Sequence, residues 1–144
     1  MALHLIKLCV GCDSVEDLAG WLEERLAANK RRGERPEHVH VTRMVPKRIA
    51  ELLEGGSLYW VIKGNIQVRE PIVDVQPFVD KEGVGRCRLI LAPALVRTEW
   101  QPRRPFQGWR YLEPGDAPRD LKEGRRGDDI PPALLAELAG LGLR

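Results

Sequence analysis

Apolar and polar residues follow two different periods along this chain, and each period predicts a different kind of element. Residues 2–10 are apolar on both faces of a pleated strand apart from one histidine and one lysine, which is typical of a strand inside a sheet. Residues 18–26 then carry three leucines and a tryptophan at helical spacing. Asp13 or Ser14 begins this helix, since each starts a capping box, and the helix is predicted to run to about Lys30.

A second strand and a second helix are predicted next. Residues 38–44 alternate between polar and apolar side chains. Pro46 lies where a helix can begin without losing a hydrogen bond, and the paired glycines Gly55 and Gly56 are expected to end that helix.

The middle of the chain predicts consecutive strands joined by turns. The stretch 57–63 is the densest in aromatic and β-branched residues. Gly64 and Asn65 predict a hairpin turn after it, and Pro71 in the returning strand indicates a bulge or an edge position. The predicted strands are 2–10, 38–44, 57–63, 66–75, 86–91 and 95–100.

The last third of the chain has weaker patterns. Prolines and a glycine interrupt residues 100–111 and predict an ordered loop. The stretch 113–129 is rich in Pro, Gly and charge and predicts a polar surface loop. Leucines at helical spacing predict a short helix over 130–144. We therefore expect one domain over residues 1–112, then the polar loop, then the C-terminal helix.

Together these elements predict an α+β domain. Its sheet is expected to be small, mixed and mainly antiparallel, or an open barrel, with two helices in the N-terminal half and one short C-terminal helix.

Composition narrows the class of protein. A chain of 144 residues suits one domain, and a net charge of +2 does not by itself indicate a nucleic-acid-binding protein. Runs of about 18 apolar residues, which a membrane span needs, are lacking, and the start is too short for a signal peptide. Three cysteines, an odd number, argue against a disulfide framework. We predict a cytoplasmic, reduced protein with no membrane partner.

The richest candidate for function is the stretch 100–111, which we call the arginine–aromatic segment. It holds three arginines, four aromatic rings and no acid. Arginine can grip phosphates and flat rings can stack on unpaired bases, so the segment predicts an RNA-binding surface. The predicted contact residues are Arg97, Trp100, Arg103, Arg104, Phe106, Trp109 and Arg110, with Lys63 and Arg69 beside them. Alternatively, the rings cover an open end of the sheet and the arginines pair with Glu99 or Glu113.

A second group of residues has metal-ligating chemistry. Cys9 and Cys12 have the spacing of a zinc half-site, and His38 and His40 would lie on one side of a strand. The same thiols could instead form a redox-active pair, or Cys9 could simply be a buried strand residue and Cys12 part of a turn. Since only one such cysteine motif is present, we predict neither a metal nor a cofactor.

Catalytic motifs are lacking in the sequence. The acidic residues are scattered, and no arrangement of Ser, His and Asp, metalloprotease motif or phosphate-binding glycine loop is present.

Three long motifs carry a resemblance to a known family. They are Met-x-Leu-His-Leu-Ile-Lys-Leu-Cys-Val-Gly at 1–11, Gly-Gly-Ser-Leu-Tyr-Trp-Val-Ile-Lys-Gly at 55–64, and Arg-Thr-Glu-Trp-Gln-Pro-Arg-Arg-Pro-Phe-Gln-Gly-Trp-Arg-Tyr-Leu at 97–112. Together they resemble the bacterial domain-of-unknown-function family 1489. The resemblance covers most of the chain before about residue 120 and implies a bacterial cytoplasmic protein.

A second resemblance concerns the fold alone. The order of elements over 38–70 is similar to the opening of PUA-like and ASCH-like domains, small pseudo-barrels of which many bind RNA. The ASCH motif G-x-K-x-x-E-x-R is absent, because Ser57, Trp60 and Ile62 stand where Lys, Glu and Arg would be. An ASCH-type hydrolase is therefore not expected.

From these observations we predict a small PUA-like RNA-binding or nucleic-acid-binding domain that uses the arginine–aromatic segment. One alternative is a protein-interaction module in which the same segment and the C-terminal helix bind a partner or a second copy. The other is an enzyme that binds a phosphorylated small molecule near Trp60 and the arginines. Since no base or nucleophile is recognisable, the enzyme ranks last.

Overall fold

The computed structural model describes residues 2–35 and 37–121. The described residues form seven strands, two α-helices and one 3-10 helix. The elements are β1 (His4–Leu8), α1 (Val15–Arg31), β2 (His38–Thr42), α2 (Ile49–Leu52), β3 (Ser57–Ile62), β4 (Asn65–Val79), β5 (Gly85–Leu91), β6 (Val96–Pro102), β7 (Trp109–Leu112) and the 3-10 helix Pro114–Asp116. The predicted helix over 130–144 lies outside the described residues.

The strands form one mixed sheet. Their order is β2-β5-β4-β3-β1-β7, and β6 pairs with β4 beside this path. Only β1 and β3 run parallel among the described strands, and the other five pairings are antiparallel. The end strands β2 and β7 do not pair with each other, so the sheet is open. The predicted α+β class with a mainly antiparallel sheet is confirmed.

The long strand β4 connects the two halves of the sheet. Its first half pairs with β3 and β6, and its second half pairs with β5. Pro71 lies where β4 passes from one partner to the next: it pairs with Ser57, and its carbonyl accepts a hydrogen bond from the N–H of Ala92 at 2.9 Å. Proline suits this junction because it offers no N–H to a ladder.

The β3–β4 hairpin turns one residue earlier than predicted. Ile62 pairs with Asn65, so Lys63 and Gly64 are the central residues of the turn. Their φ angles are 51° and 81°. A two-residue turn of this type needs positive φ at both positions, and here lysine accepts the left-handed conformation beside glycine.

Helix α1 begins as the capping pattern predicts. Ser14 is the N-cap, and its hydroxyl accepts a hydrogen bond from the N–H of Asp17 at 3.1 Å. Leu18 and Leu22 are buried, whereas Trp21 is 40% exposed and lies under the Arg25 guanidinium. None of the described helices has the length and apolar character needed to cross a membrane.

Both faces of the central strands are covered, which explains why every residue of β3 is buried. The larger core lies on the α1 side and includes Leu5, Leu58 and Trp60. A smaller core on the opposite face contains Ile6, Tyr59, Val61, Ile66 and Leu112.

The arginine–aromatic segment is less of a loop than predicted. Its first residues complete β6, and Trp109 to Leu112 form β7, which pairs antiparallel with β1. Only residues 103–108 lie outside strands. The prolines and Gly108 led to the loop prediction, but Trp109 and Leu112 are buried, and this burial places the end of the segment in the sheet.

The predicted polar loop also has structure in its first part. The 3-10 helix occupies Pro114–Asp116, and Asp120 forms an isolated bridge with Thr98 of β6. The N–H of Leu121 donates to the carbonyl of Arg97 at 2.9 Å. The remainder of this predicted loop lies outside the described residues.

Candidate functional site

Three rings of the arginine–aromatic segment pack against the protein. Trp109 is 5% exposed, and its Nε1 donates to the carbonyl of Met44 at 3.0 Å. Phe106 packs against the smaller core, and the Tyr111 hydroxyl accepts a hydrogen bond from the N–H of Lys47 at 2.8 Å. Trp109 therefore has a structural role in this conformation.

Three of the predicted phosphate contacts are paired with carboxylates. Arg97 pairs with Glu16, and Lys63 pairs with Asp13 at 3.5 Å. Arg69 makes a two-pronged contact with Asp120, with both N–O distances at 2.8 Å. This contact raises the pKa of Arg69 and lowers the pKa of Asp120. Neither Glu99 nor Glu113, the carboxylates that the sequence suggests, forms these pairs.

The remaining predicted contacts lie on or beside the 103–108 loop. Arg104 and Arg110 are exposed, and the Arg110 guanidinium lies 5.5 Å from the centre of the Phe106 ring. Arg103 donates to the Gln101 side chain at 2.6 Å, and Trp100 is half-buried.

A different group of residues encloses a cavity of about 340 Å³ at the carboxyl end of β1. This volume lies in the range of small-molecule sites. Strands β1, β2 and β3, helix α1 and the turn between β1 and α1 form its walls. The residues with polar or aromatic chemistry on these walls are Lys7, Cys9, Cys12, Asp17, Trp21, His38, His40 and Trp60.

The deepest polar feature of this site is a contact between His38 and Glu70. The side chains are 1% and 0% exposed, and His38 Nδ1 lies 2.8 Å from Glu70 Oε2. Trp60 Nε1 donates to Glu70 Oε1 at 3.2 Å. A carboxylate can only accept hydrogen bonds, so Nδ1 is the donor of the pair. Nε2 is then on the opposite side of the imidazole ring, where it has no hydrogen-bond partner among the described residues.

Strand β2 points its polar side chains inward. His38, His40 and Thr42 face the protein interior, while Val39 and Val41 are 38% and 48% exposed. A strand that only contributed to the core would bury its valines and expose its histidines, because burial is favourable for valine and costs free energy for histidine. The orientation of β2 therefore costs stability and brings both histidines to the cavity.

The second histidine is kept neutral by its surroundings. Burial, together with the charges of Lys7 and His38, lowers the pKa of His40 to about 4. Its Nε2 is also buried and has no hydrogen-bond partner in the described part of the chain, and its ring meets the Trp60 ring edge-on at 5.2 Å. At neutral pH this imidazole offers a hydrogen bond without a charge.

Lys7 supplies the positive charge of the cavity. Lys7 lines the same cavity as Cys9 and His40. Burial raises the pKa of Cys9 and lowers that of His40, and the charge of Lys7 acts to lower both. Within the described part of the chain, no carboxylate forms an ion pair with Lys7. A half-buried cation of this kind can bind an anionic group of a ligand.

The four residues with metal-ligating chemistry, Cys9, Cys12, His38 and His40, all line this cavity. They do not converge on one point: across residues 2–35 and 37–121, no three His, Cys, Asp or Glu side chains are arranged to hold a metal ion. Burial and a hydrogen bond with Cys12 raise the pKa of the Cys9 thiol, which keeps that sulfur protonated.

Glu70 does not stand out as a site residue in the sequence. A bulge at Gln67 shifts the register of β4, and this shift turns Val68, Glu70 and Ile72 toward the larger core. The only sign of it in the sequence is the acidic Glu70 standing two residues from the apolar Val68 and two residues from the apolar Ile72, on the same face of a strand. An acid on the buried face of a strand needs partners, and histidine and tryptophan provide them.

The fold and the cavity define an α+β domain with a partly open, mainly apolar cavity beside its first helix. A family model described as "Protein of unknown function (DUF1489)" matches residues 5–144, so the chain belongs to this family, as the three motifs predict. Neither the curated proteins nor the solved structures contain a match to the chain.

Proposed function

We propose that this protein binds a small anionic molecule in the cavity beside α1. The observation that carries the proposal is the buried His38, whose Nδ1 is held by Glu70 and whose Nε2 has no partner in the described chain. Buried polar atoms are almost always hydrogen-bonded, so an unpartnered nitrogen on a histidine that lines a cavity favours a ligand contact.

The lining residues indicate the chemistry of the ligand. The Lys7 ammonium would hold an anionic group, such as a phosphate or a carboxylate. Trp21 and Trp60 offer apolar surfaces for a flat group. His38 Nε2 would form a hydrogen bond with a polar atom of the ligand.

A purely structural role for the His38–Glu70 pair has less support. Buried ion pairs rarely stabilise a fold more than apolar residues of the same volume do. The chain nevertheless keeps a histidine, a glutamate and a tryptophan Nε1 together in its core, and exposes two valines on β2 to do so. Ligand binding gives a reason for this cost.

Binding can be measured through the fluorescence of the two tryptophans in the cavity wall. We expect phenyl phosphate to change the emission in a saturable manner. Lys7→Gln should weaken this binding by about 10-fold or more, because a hydrogen bond to a charged group contributes about 1.5–3 kcal/mol. His38→Gln should also weaken it, while thermal denaturation checks that each variant is folded.

The matched control is Lys81→Gln, which removes an exposed lysine from the turn between β4 and β5. It should bind phenyl phosphate as the original protein does. The proposal fails if neither phenyl phosphate nor benzoate binds saturably, or if Lys7→Gln and Lys81→Gln bind equally well.

RNA binding by the 103–108 loop is a second candidate. It is supported by the exposed Arg104 and by Arg110, whose guanidinium lies over Phe106. Cations beside an aromatic ring suit phosphate contact and base stacking. The expected PUA-like fold would agree with this function, and protein interaction through the same loop is the competing outcome.

RNA binding predicts a defined dependence on salt. With short single-stranded RNA, the double variant Arg104→Gln/Arg110→Gln should bind less tightly. The slope of log affinity against log salt should also fall by about 1.4, the value for two lost phosphate contacts. Arg25→Gln, which removes an exposed arginine from α1, is the control. Absence of binding at low salt, or binding that is indifferent to salt, would contradict this candidate.

A further inference from the structure

Cys9 and Cys12 lie at one wall of the cavity. Cys9 follows directly after β1, and Cys12 lies three residues later, in the turn that leads to α1. Both thiols are free, half-buried and line the same cavity. The third cysteine, Cys87, is fully buried in the larger core.

The backbone on both sides of the pair is fixed. The N–H of Cys9 donates to the carbonyl of Val61 at 2.9 Å, which extends β1 by one residue along β3. Gly11 has a φ of 86°, a conformation that turns the chain sharply and that glycine adopts readily. Ser14 then caps α1. The turn that carries the two cysteines is therefore held at both ends.

We propose that Cys9 and Cys12 form a reversible disulfide, which makes this cavity wall a site of oxidation by low-molecular-weight disulfides of the glutathione type. This inference goes beyond the proposed ligand binding and does not depend on what the cavity binds. Two cysteines separated by two residues are a common arrangement for thiol–disulfide exchange.

The exchange proceeds in two balanced steps. The Cys12 sulfur, as the thiolate, attacks one sulfur of the small disulfide, and the other half leaves as a thiolate. Cys9 then loses its proton and attacks the Cys12 sulfur of the mixed disulfide, which releases the second small thiol. The two protein thiols are oxidised, and the small disulfide is reduced to two thiols. Cys12 acts first, because burial and the contact with Cys12 keep Cys9 protonated.

The chain offers a direct test by mass spectrometry. Trypsin cleaves after Lys7 and next after Arg25, so one peptide, residues 8–25, contains both cysteines and excludes Cys87. After treatment of the folded protein with oxidised glutathione, this peptide should lose two hydrogens and resist alkylation. The intact protein, denatured and alkylated, should carry one label where the reduced protein carries three. Dithiothreitol should restore all three.

Single variants identify the residues involved. Cys87→Ser should still form the bond, and Cys9→Ser and Cys12→Ser should not. Cys9→Ser should instead retain a stable mixed disulfide at Cys12. Three free thiols after oxidation, or a mixed disulfide in the original protein without an internal bond, would overturn the proposal. Neither outcome bears on phenyl phosphate binding, which is measured on the reduced protein.

Discussion

Replacing Gly56 with alanine is expected to destabilise the protein by at least about 3 kcal/mol, or to prevent folding. A Cβ atom at this position would lie 2.2 Å from the carbonyl oxygen of Leu3 and 2.5 Å from that of Leu52. Both are backbone atoms, so no side-chain rotation can relieve the contact. The end of α2 would have to move away from the start of β1.

The position of Gly56 explains why the effect should be large. Its N–H donates to the carbonyl of Leu52 at 2.9 Å, and its own carbonyl accepts from the N–H of Ile72 at 2.9 Å. Leu3 and Leu52 are 2% and 0% exposed. Displacement of this residue would therefore disturb the core and the hydrogen bonds at the start of β3.

The control for this variant is Gly20→Ala. Gly20 lies within α1, and an added Cβ would meet no atom within 4 Å. We expect this change to stabilise the protein by about 0.5–1 kcal/mol, since alanine favours the helix over glycine. Urea denaturation of both variants tests the pair of predictions. Equal stability of Gly56→Ala and the original protein would show that the α2–β3 junction is not as close as described.

The second large effect is expected for Glu70→Leu, which should cost about 3–5 kcal/mol. The substitution fits an apolar residue into a fully buried position, but it leaves His38 Nδ1 and Trp60 Nε1 without an acceptor. A buried donor that loses its partner costs about 1–3 kcal/mol. The side chain of Glu70 has no route to solvent that could replace these contacts, since it is 0% exposed.

Two further variants separate the partners of Glu70. Glu70→Gln keeps one acceptor oxygen and should cost less than Glu70→Leu. The double variant His38→Phe/Glu70→Leu removes the imidazole that lost its acceptor, so it should recover about 2 kcal/mol of the lost stability. The rest of the destabilisation should remain, because Trp60 Nε1 still lacks an acceptor. Phenyl phosphate binding should not recover, because the imidazole that is proposed to contact the ligand is gone.

Chemical denaturation measures each free energy of unfolding, and Glu82→Leu, at an exposed turn position, serves as the control. The account of the buried pair is wrong if Glu70→Leu and Glu82→Leu have the same stability. It is also wrong if the double variant is less stable than Glu70→Leu.

Local chemistry allowed several elements to be predicted well. Ser14 caps α1 because a hydroxyl before the first turn satisfies a free N–H whatever the rest of the chain does. The β-branched and aromatic residues of β3 indicate a strong strand, and the structure shows all six residues of that strand buried. Elements that form through contacts with distant parts of the chain were predicted less well. Strand β7 was missed because its pairing with β1 joins residues about a hundred positions apart.

The candidate site could also be predicted only in part. The residue types of Cys9, Cys12, His38 and His40 indicated metal-ligating or redox chemistry, and the structure brings all four to one cavity. Glu70 could not be assigned to that site from its spacing, since the bulge at Gln67 decides which face of β4 it occupies. Similarly, Arg97 and Arg69 pair with Glu16 and Asp120, carboxylates that lie far from them in sequence, so these pairs could not be assigned from the sequence.

The sequence by itself determined the family, the α+β class, the first helix with its cap and the strong central strand, because these follow from motifs and from interactions within a few residues. Only the tertiary structure decided that the histidines of β2 face inward, that Glu70 contacts His38, and that Trp109 is buried in the core. These features arise from strand pairing and burial between distant parts of the chain, and the energy of such contacts cannot be assigned until the partners are known.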